Sequence, residues 1–556
     1  MKKRYKILIF MIILIIGLIV TFKIMVSVTP PIISDMSIMK KERIKLKDNF
    51  YILDDSWLKQ NKYGLWELYI TGNDFELGAK NGILTKELAN YQEEAFIESL
   101  KKIVPSEFYI NFLKYFIAWF NRDIDKYIPL EYQKEIYGVS LSASEEYEFI
   151  APNYHRILNY HAAHDIGHTI SNMNLVACTA FGVKNNRSSD SSLIIGRNMD
   201  FYVGDKFAEN KIVAFYKPEK GYAFTYITWA GLIGVISGMN KEGLTITLNS
   251  AKSDIPTSAK TPVSILARQI LQYASTIDEA FKIAKEHETF VAESFLISSA
   301  KDNDFAIIEK STDTTVLYRQ NKDEIILTNH FQDKAFENRE LTIKNKEESE
   351  TVYRWDRVNE LLDEKEKHDV NSFVGILRNR KGKNGEDLGM GNEMAINQLI
   401  AHHSVVFKPQ KLQIWVSVGP YQLGKYIAYD LNKIFSDSLD FKNEIYTKSL
   451  TIKADPFLYS NEYKQFVEYK KMTNLFRKEL SKDVSDYINE SNIEKYKNLN
   501  PNYFYTYLII GECYAKLGNN EKALEFYNTA LTKPIAKKNE KDVIKSKIDE
   551  LKLNND

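Results

Sequence analysis

Ala177-Cys178-Thr179-Ala180-Phe181-Gly182 and Gly196-Arg197-Asn198-Met199-Asp200-Phe201 are two runs rich in apolar and small residues, separated by the polar stretch 184–192. Such runs on either side of a polar turn predict a β-hairpin. With Val183 facing Ile194, the antiparallel register brings Cys178 opposite Met199, so that Arg197 and Asp200 flank the thiol. A guanidinium favours thiolate and a carboxylate can orient a proton carrier, which makes the hairpin a candidate nucleophile site. A lone cysteine in such a strand is otherwise a small core residue. The Arg-Asn-Met-Asp neighbour argues against that, because charged side chains are rarely buried unpaired.

Outward from the hairpin, short β-rich runs recur at 212–216, 224–229, 232–237, 244–249, 295–299, 305–309, 315–319, 325–329, 404–407 and 412–418. Helical stretches interrupt them at 263–287, opening at Pro262, and at 352–367. Many strands joined by short polar turns, with a few long helices inserted, predict an antiparallel α+β domain. The charged 344–350 and the Gly-bearing 379–392 read as exposed loops. Upstream, 35–121 is mixed, with helical stretches at 84–103 and 107–120, and further helices at 130–143 and 148–168. Nothing there has a linker's composition, so this is one ordered region packed on the strand-rich domain. After 452 the chain is helical and Lys-rich. Tyr507, Ile510, Gly511, Tyr514, Gly518, Ala523, Tyr527, Ala530 and Pro534 fall close to the spacing of a tetratricopeptide repeat. The expected division is an anchor at 1–29, an N-terminal pro-region at 30–177, a catalytic domain at 178–452 and a helical tetratricopeptide-like region at 453–556.

The 556 residues carry 74 Lys+Arg and 74 Asp+Glu, so nothing electrostatic calls for nucleic acid as a partner. Hydrophobic residues at 44% exclude a largely disordered chain. Two cysteines exclude a disulfide-stapled scaffold and a Cys-rich zinc module. Lys2, Lys3, Arg4 and Lys6 precede an apolar run at 7–22, which resumes after Lys23 and ends at Pro30-Pro31. That length spans a bilayer core, and no A-x-A-like cleavage site precedes Pro30. The basic cluster then stays cytoplasmic and the rest lies outside, at the cell surface or in the periplasm.

Cys-Thr-x-Phe followed by Gly-Arg-Asn-x-Asp-Phe resembles the nucleophile hairpin of N-terminal nucleophile (Ntn) hydrolases. The similarity is to the isopenicillin N acyltransferase-like, choloylglycine hydrolase-like and acid ceramidase-type cysteine amidases. Further matches come in order: Asn240-Lys241-Glu242-Gly243-Leu244 to Asn249-Ser250, then Leu327-Thr328-Asn329-His330-Phe331, Tyr353-Arg354-Trp355-Asp356-Arg357, and His403-Ser404-Val405-Val406-Phe407 with 412–418. Gly72, Gly78 and Gly82 match a glycine-spaced helix start upstream. The resemblance runs from about residue 70 to 429. It implies a four-layer αββα core with antiparallel sheets, and self-cleavage between Ala177 and Cys178. The new α-amine of Cys178 then serves as base for its own thiol, so no distant histidine and no cofactor is needed. It also implies that Arg197 and Asp200 hold the nucleophile and its amine. Asn329 and Asn249 donate to the oxyanion, and Arg354, with Arg357 as its neighbour, is an active-site arginine. The chain departs from the pattern in carrying Ala177 where relatives often have glycine, and in placing a long anchored segment before Cys178.

His161, His164 and His168 share one helix face, with His155 and Asp165 nearby; three imidazoles on one stripe fit a packed face better than a metal site. His402 and His403 open a strand, so their side chains point to opposite faces. Cys513 is a small packing residue. The function this predicts is an exported, membrane-anchored cysteine amidohydrolase or acyltransferase that cleaves a linear amide, an N-acyl amine or N-acyl amino acid, through an acyl-enzyme on Cys178. The alternatives are a surface scaffold with a degenerate hydrolase domain presenting its helical repeat to a protein partner, and a metal hydrolase built on the 161–168 histidines.

Overall fold

The computed structural model describes residues 2–103, 107–170, 176–252, 256, 258–320, 322–482 and 484–553. Two sheets and three groups of helices organise them. The larger sheet has eleven strands in the order Ile44–Lys47, Phe50–Leu53, Ser56–Gln60, Trp66–Gly72, Ile212–Pro218, Phe224–Thr228, Ser237–Asn240, Leu244–Ser250, Glu293–Ser299, Asp304–Lys310 and Thr315–Tyr318. The smaller has six: Glu324–Leu327, Val176–Asn185, Ser191–Phe201, His403–Lys408, Gln413–Ser417 and Tyr426–Asp430. Every neighbouring pair is antiparallel except one. Trp66–Gly72 runs parallel to Ile212–Pro218, with Trp66 beside Ile212 and Gly72 beside Pro218.

Strands such as Leu244–Ser250 and Glu293–Ser299 are buried at every position, so the sheet they belong to is covered on both faces. One core joins the two sheets, with Val213, Phe215, Leu296 and Ile307 against Ala180, Ile195, Val405 and Val416. A second places the other face of the larger sheet (Leu68, Ile246, Ile297) against Leu84, Ile136, Leu158 and Leu266 of the surrounding helices. A third packs Phe181, Val183 and Ile194 of the smaller sheet on Val358, Leu362, Phe373 and Leu377. The C-terminal helices, from Asn461–Leu480 to Lys538–Leu553, share a core of their own that also takes in Leu399 and Leu423.

Several expectations are corrected. The stretch before residue 73 supplies four strands. Their hairpins turn through Asn49 and Asp54, both at positive φ (55° and 53°), and polar residues at such positions are an ordinary turn signal. The sheets are not wholly antiparallel, given the Trp66–Gly72 pairing. Residues 232–236 are not a strand: Leu232, Ile233, Val235 and Ile236 are buried as irregular chain, and the strand is Ser237–Asn240. The helix expected at 263–287 is two, Val263–Tyr273 and Ile277–Glu286, because Thr276 and Glu279 form a capping box that starts the second. The charged 344–350 lies mostly in a helix, Glu340–Glu348, not a loop. A closing strand, Tyr426–Asp430, was not expected.

The glycine-spaced helix is the Asp74–Ile103 helix, and its glycines have a steric cause. A Cβ on Gly78 would lie 1.8 Å from the Glu135 carbonyl oxygen, and one on Gly138 would lie 2.5 Å from the Ala79 nitrogen. The Asp74–Ile103 and Leu130–Ser140 helices therefore touch backbone to backbone. Lys2–Met25 is, among the described residues, the one helix long and apolar enough to cross a membrane.

Candidate active site

The register of the Cys178 hairpin is the one expected: Val183 pairs with Ile194 and Cys178 with Met199. Alternation puts Cys178 and Ala180, with the opposed Met199 and Arg197, on the face toward the larger sheet. Cys178 is 1% exposed. Arg197, also buried, donates from Nη2 to Cys178 Sγ at 3.3 Å and to the Leu248 carbonyl, and from Nη1 to Ser237 Oγ at 2.5 Å. Ser237 Oγ lies 2.8 Å from His403 Nε2, and His403 Nδ1 lies 3.0 Å from His402 Nδ1. The strand begins at His403, so the two histidine side chains meet rather than pointing to opposite faces, contrary to expectation. Burial lowers both of their pKa values, that of His402 to about 3, so both imidazoles are neutral.

The backbone of Cys178 is clamped from the other side. Its N–H donates to Asn329 Oδ1 at 2.8 Å, and its carbonyl accepts from Arg354 Nη1 at 2.7 Å. Arg354 also donates to Thr179 Oγ1 (2.9 Å), Asn329 Oδ1 (2.7 Å) and Glu350 (3.2 Å). Arg354 sits in the Thr351–Asp363 helix; Arg357, one turn on, pairs instead with Glu360 at 2.7 Å. Asn329, just past the end of Glu324–Leu327, donates from Nδ2 to the Ser250 carbonyl at 2.9 Å, and its own N–H goes to Thr351 Oγ1 at 2.7 Å. Asn249 Nδ2 donates to the Leu327 and Thr328 carbonyls at 3.2 and 3.1 Å. In the continuous chain Asn249 thus spends its amide hydrogens on backbone carbonyls, and Asn329 on the carbonyl and hydroxyl of Ser250.

Two buried carboxylates stand near the thiol. Asp200 pairs with Ala177 across the hairpin, on the face opposite Cys178, and neither of its oxygens has a hydrogen-bond partner among the described residues. Burial pushes its pKa up to about 8, against the pull of Arg354 and Arg197. Glu293, opposite Ser250 across a strand pair, is likewise unpartnered among the described residues. Burial, with Asp165 as a like charge, holds it well above the usual carboxylate range. The Cys178 thiol is raised by burial, lowered by Arg197, and raised by Asp200 and Glu293.

All six expected residues, Cys178, Arg197, Asp200, Asn249, Asn329 and Arg354, are brought into one region. Reading the sequence missed Ser237, His403, Ser250, Glu350 and Glu293. Only Glu293 left a signal, as a carboxylate in a strand whose other residues are uncharged. His161 is buried in the Asn153–Ile170 helix with both ring nitrogens engaged. The side chains of His164 and His168 lie outside the described residues, and no cluster of potential metal ligands occurs among those described. Cys513 is buried in the C-terminal core, as expected.

A cavity of about 100 Å³ adjoins this region. Phe96, Ile157, Tyr160, Phe201, Trp229 and Ile236 are among the residues that line it. The Trp229 ring packs edge-on against His402 at 5.2 Å.

Residues 186–420 match the family described as Acyl-coenzyme A:6-aminopenicillanic acid acyl-transferase; the match begins after Cys178. The N-acylethanolamine-hydrolyzing acid amidase of Caenorhabditis elegans is 25% identical over 225 residues, 39% of this chain and 59% of that protein. An uncharacterized protein of Archaeoglobus fulgidus is 22% identical over 271 residues, 45% of this chain and 44% of its own. The chain therefore spans about half the length of the curated relatives it matches. Among solved structures, a mutant of the conjugated bile acid hydrolase of Clostridium perfringens aligns with a TM-score of 0.33 at 16% identity, over 49% of this chain and 96% of that one. The family and amidase matches point to the Ntn-hydrolase superfamily of amidases and acyltransferases.

Proposed function

We propose that this chain is a membrane-anchored, exported cysteine amidohydrolase or acyltransferase that acts on a linear amide through Cys178, after cutting itself between Ala177 and Cys178. The observation that carries the reading is the double hold on one residue: Arg197 on the Cys178 sulfur, Asn329 and Arg354 on its backbone. A merely structural cysteine needs neither.

In the cut, the thiol sulfur adds to the Ala177 carbonyl carbon and the bond to the Cys178 nitrogen breaks, the nitrogen taking up the thiol's proton. Water then opens the thioester, leaving an Ala177 carboxylate, the free thiol and a Cys178 α-amine. An unperturbed α-amine titrates near pH 7.7–8.0, where it can take the thiol proton. We assign the hold on that amine to Asp200, which lies across from Ala177 and has no hydrogen-bond partner among the described residues. A substrate amide then acylates Cys178 and releases its amine; water or an acceptor amine releases the acyl group. An oxyanion role for Asn249 or Asn329 requires the cut to free their amide hydrogens. Loss of one such donor costs about 3–4 kcal/mol of barrier stabilisation.

The amidase relative suggests N-acyl amines as the first substrates to test. The αββα layering is supported by the three cores of sheet on sheet and helix on sheet. A tetratricopeptide-like tail is supported by the helix pair Phe504–Lys516 and Asn520–Leu531, whose Gly511 meets the Tyr527 ring. The working division stays 1–29, 30–177, 178–452 and 453–556.

Denatured intact mass of the wild-type chain beside Cys178→Ala tests the cut. Two fragments meeting at Ala177/Cys178 in the wild type alone are expected; one uncut chain in both sinks the self-processing reading. Incubation with an acyl amide and excess amine then separates the two outcomes of the acyl-enzyme. Free acid as the main product is expected, since an exported enzyme meets no acyl-CoA, and dominant amine conjugates would make it a transferase.

A further inference from the structure

The Glu107–Phe120 helix turns an aromatic stripe outward. Phe112, Tyr115, Phe116 and Trp119 recur at the three- and four-residue spacing of one helix face and are 56, 55, 43 and 40% exposed. Phe120, on the inner side, is 6% exposed and packs edge-on against Phe290 at 5.7 Å, while its carbonyl accepts from the Ala259 nitrogen at 3.1 Å. The helix is thus held to the body by one face and presents large rings on the other, which is uncommon for a surface with no partner.

The chain itself indicates what covers that face. Phe22, in the last turns of the apolar Lys2–Met25 helix, stacks on Trp119 with ring centroids 6.0 Å apart, and meets Tyr115 edge-on at 6.2 Å. A helix of that length, with its basic residues at the start, leaves a bilayer at about the level of Phe22 and Lys23. The stripe meets the anchor at that level. Tyr and Trp are the residues that settle at the headgroup boundary, and the Arg122 guanidinium lies over the Trp119 ring at 4.5 Å, a cation at the same height. Lys114 bridges to the Phe149 carbonyl at 3.2 Å, and Phe149 is itself 59% exposed, which extends the apolar surface.

We propose that the Glu107–Phe120 helix lies in the lipid interface beside the anchor, so that the body is seated on the bilayer surface rather than hanging from a tether. This rests on the anchor reading of Lys2–Met25, and not on the chemistry of Cys178. The occupant is the lipid surface; a second protein is the competing outcome.

The test uses the full chain in palmitoyl-oleoyl phosphatidylcholine vesicles, with a nitroxide attached in turn at Phe116→Cys, at Ile13→Cys within the anchor and at Tyr459→Cys, a residue 71% exposed on the distant helical region. Cys178 and Cys513 are buried, and the unsubstituted chain serves as the labelling blank. Relaxation by dissolved oxygen, which partitions into lipid, is compared with relaxation by a water-soluble nickel chelate. Expected is a label at 116 that falls between the other two, open to oxygen and several-fold less accessible to nickel than the one at 459, with the one at 13 the least accessible to nickel. Nickel accessibility at 116 equal to that at 459, with 13 in lipid, overturns the seating while the anchor stands. A water-exposed label at 13 overturns both. A label at 116 shielded from both reagents assigns the stripe to a protein and overturns the proposal as well. Phe112→Cys, one turn away, repeats the measurement should substitution at 116 disturb the fold.

Discussion

Arg197 holds three acceptors at once: the Cys178 sulfur, the Ser237 hydroxyl and the Leu248 carbonyl. Its charge favours the thiolate where burial opposes it, so the two effects set the reactivity of Cys178 between them. In Arg197→Gln the alkylation rate of Cys178 by iodoacetamide should fall about tenfold near neutral pH, the effect of roughly one unit in thiol pKa. Its pH profile should move to higher pH. Asp200 acts with the opposite sign, because its negative charge opposes the thiolate. It ionises only near pH 8 in the continuous chain. In Asp200→Asn the profile should therefore depart from wild type above about pH 8 and toward faster alkylation. Both measurements belong in the uncut chain. An unchanged profile at high pH in Asp200→Asn would show that the carboxylate does not reach the thiol, and slower alkylation would reverse the sign argued here.

At the scale of elements, the Asn153–Ile170 helix is fastened to the 229–236 loop through one imidazole. His161 donates from Nδ1 to the Ile157 carbonyl at 2.8 Å and accepts at Nε2 from the Ile233 N–H at 3.1 Å. Protonation would set two donors face to face, in keeping with a pKa lowered by burial to about 4. The unfolded histidine, near 6.5, binds protons first as pH falls. The contribution of His161 is therefore intact above pH 6.5 and lost progressively toward pH 4, by up to about 3 kcal/mol. Urea melts should show the wild type losing more stability than His161→Leu between pH 7 and pH 4.5, although the variant starts lower at pH 7. Equal losses would place His161 outside the pH response. The crossing of the Asp74–Ile103 and Leu130–Ser140 helices makes a second demand. Gly78→Ala puts a methyl where the Glu135 carbonyl stands, and about 3 kcal/mol of stability should go with it in the same melts. An alanine chain as stable as wild type would mean the helices separate at little cost.

For the whole molecule, legibility in the sequence is a matter of how local each feature is. The Cys178 hairpin register could be read because strand alternation leaves Val183 and Ile194 one consistent pairing. The roles of Ser237 and His403 could not, since Ser237 reaches Arg197 and His403 reaches Ser237 from strands whose neighbours are set by tertiary packing. The four early strands escaped for a similar reason: 35–72 completes its sheet only by joining Ile212–Pro218. That pairing has a measurable result. If the chain is cut before Cys178, the strand Trp66–Gly72 stays in register with a strand of the other fragment. The two fragments should co-elute as one species in native gel filtration and part only in the urea range that melts the sheet; separation in dilute buffer would contradict the parallel pairing. The same strand order sets a sequence of events during synthesis. The first four strands emerge early but lack their partner until the chain beyond Pro218 has emerged, and contacts so far apart along the chain form slowly. Asn329 and Arg354, which grip the backbone of Cys178, emerge later still. A peptide bond whose breakage depends on that grip would remain intact until the chain has emerged through Arg354 and folded around Cys178. The scission would then record the moment at which that grip has formed.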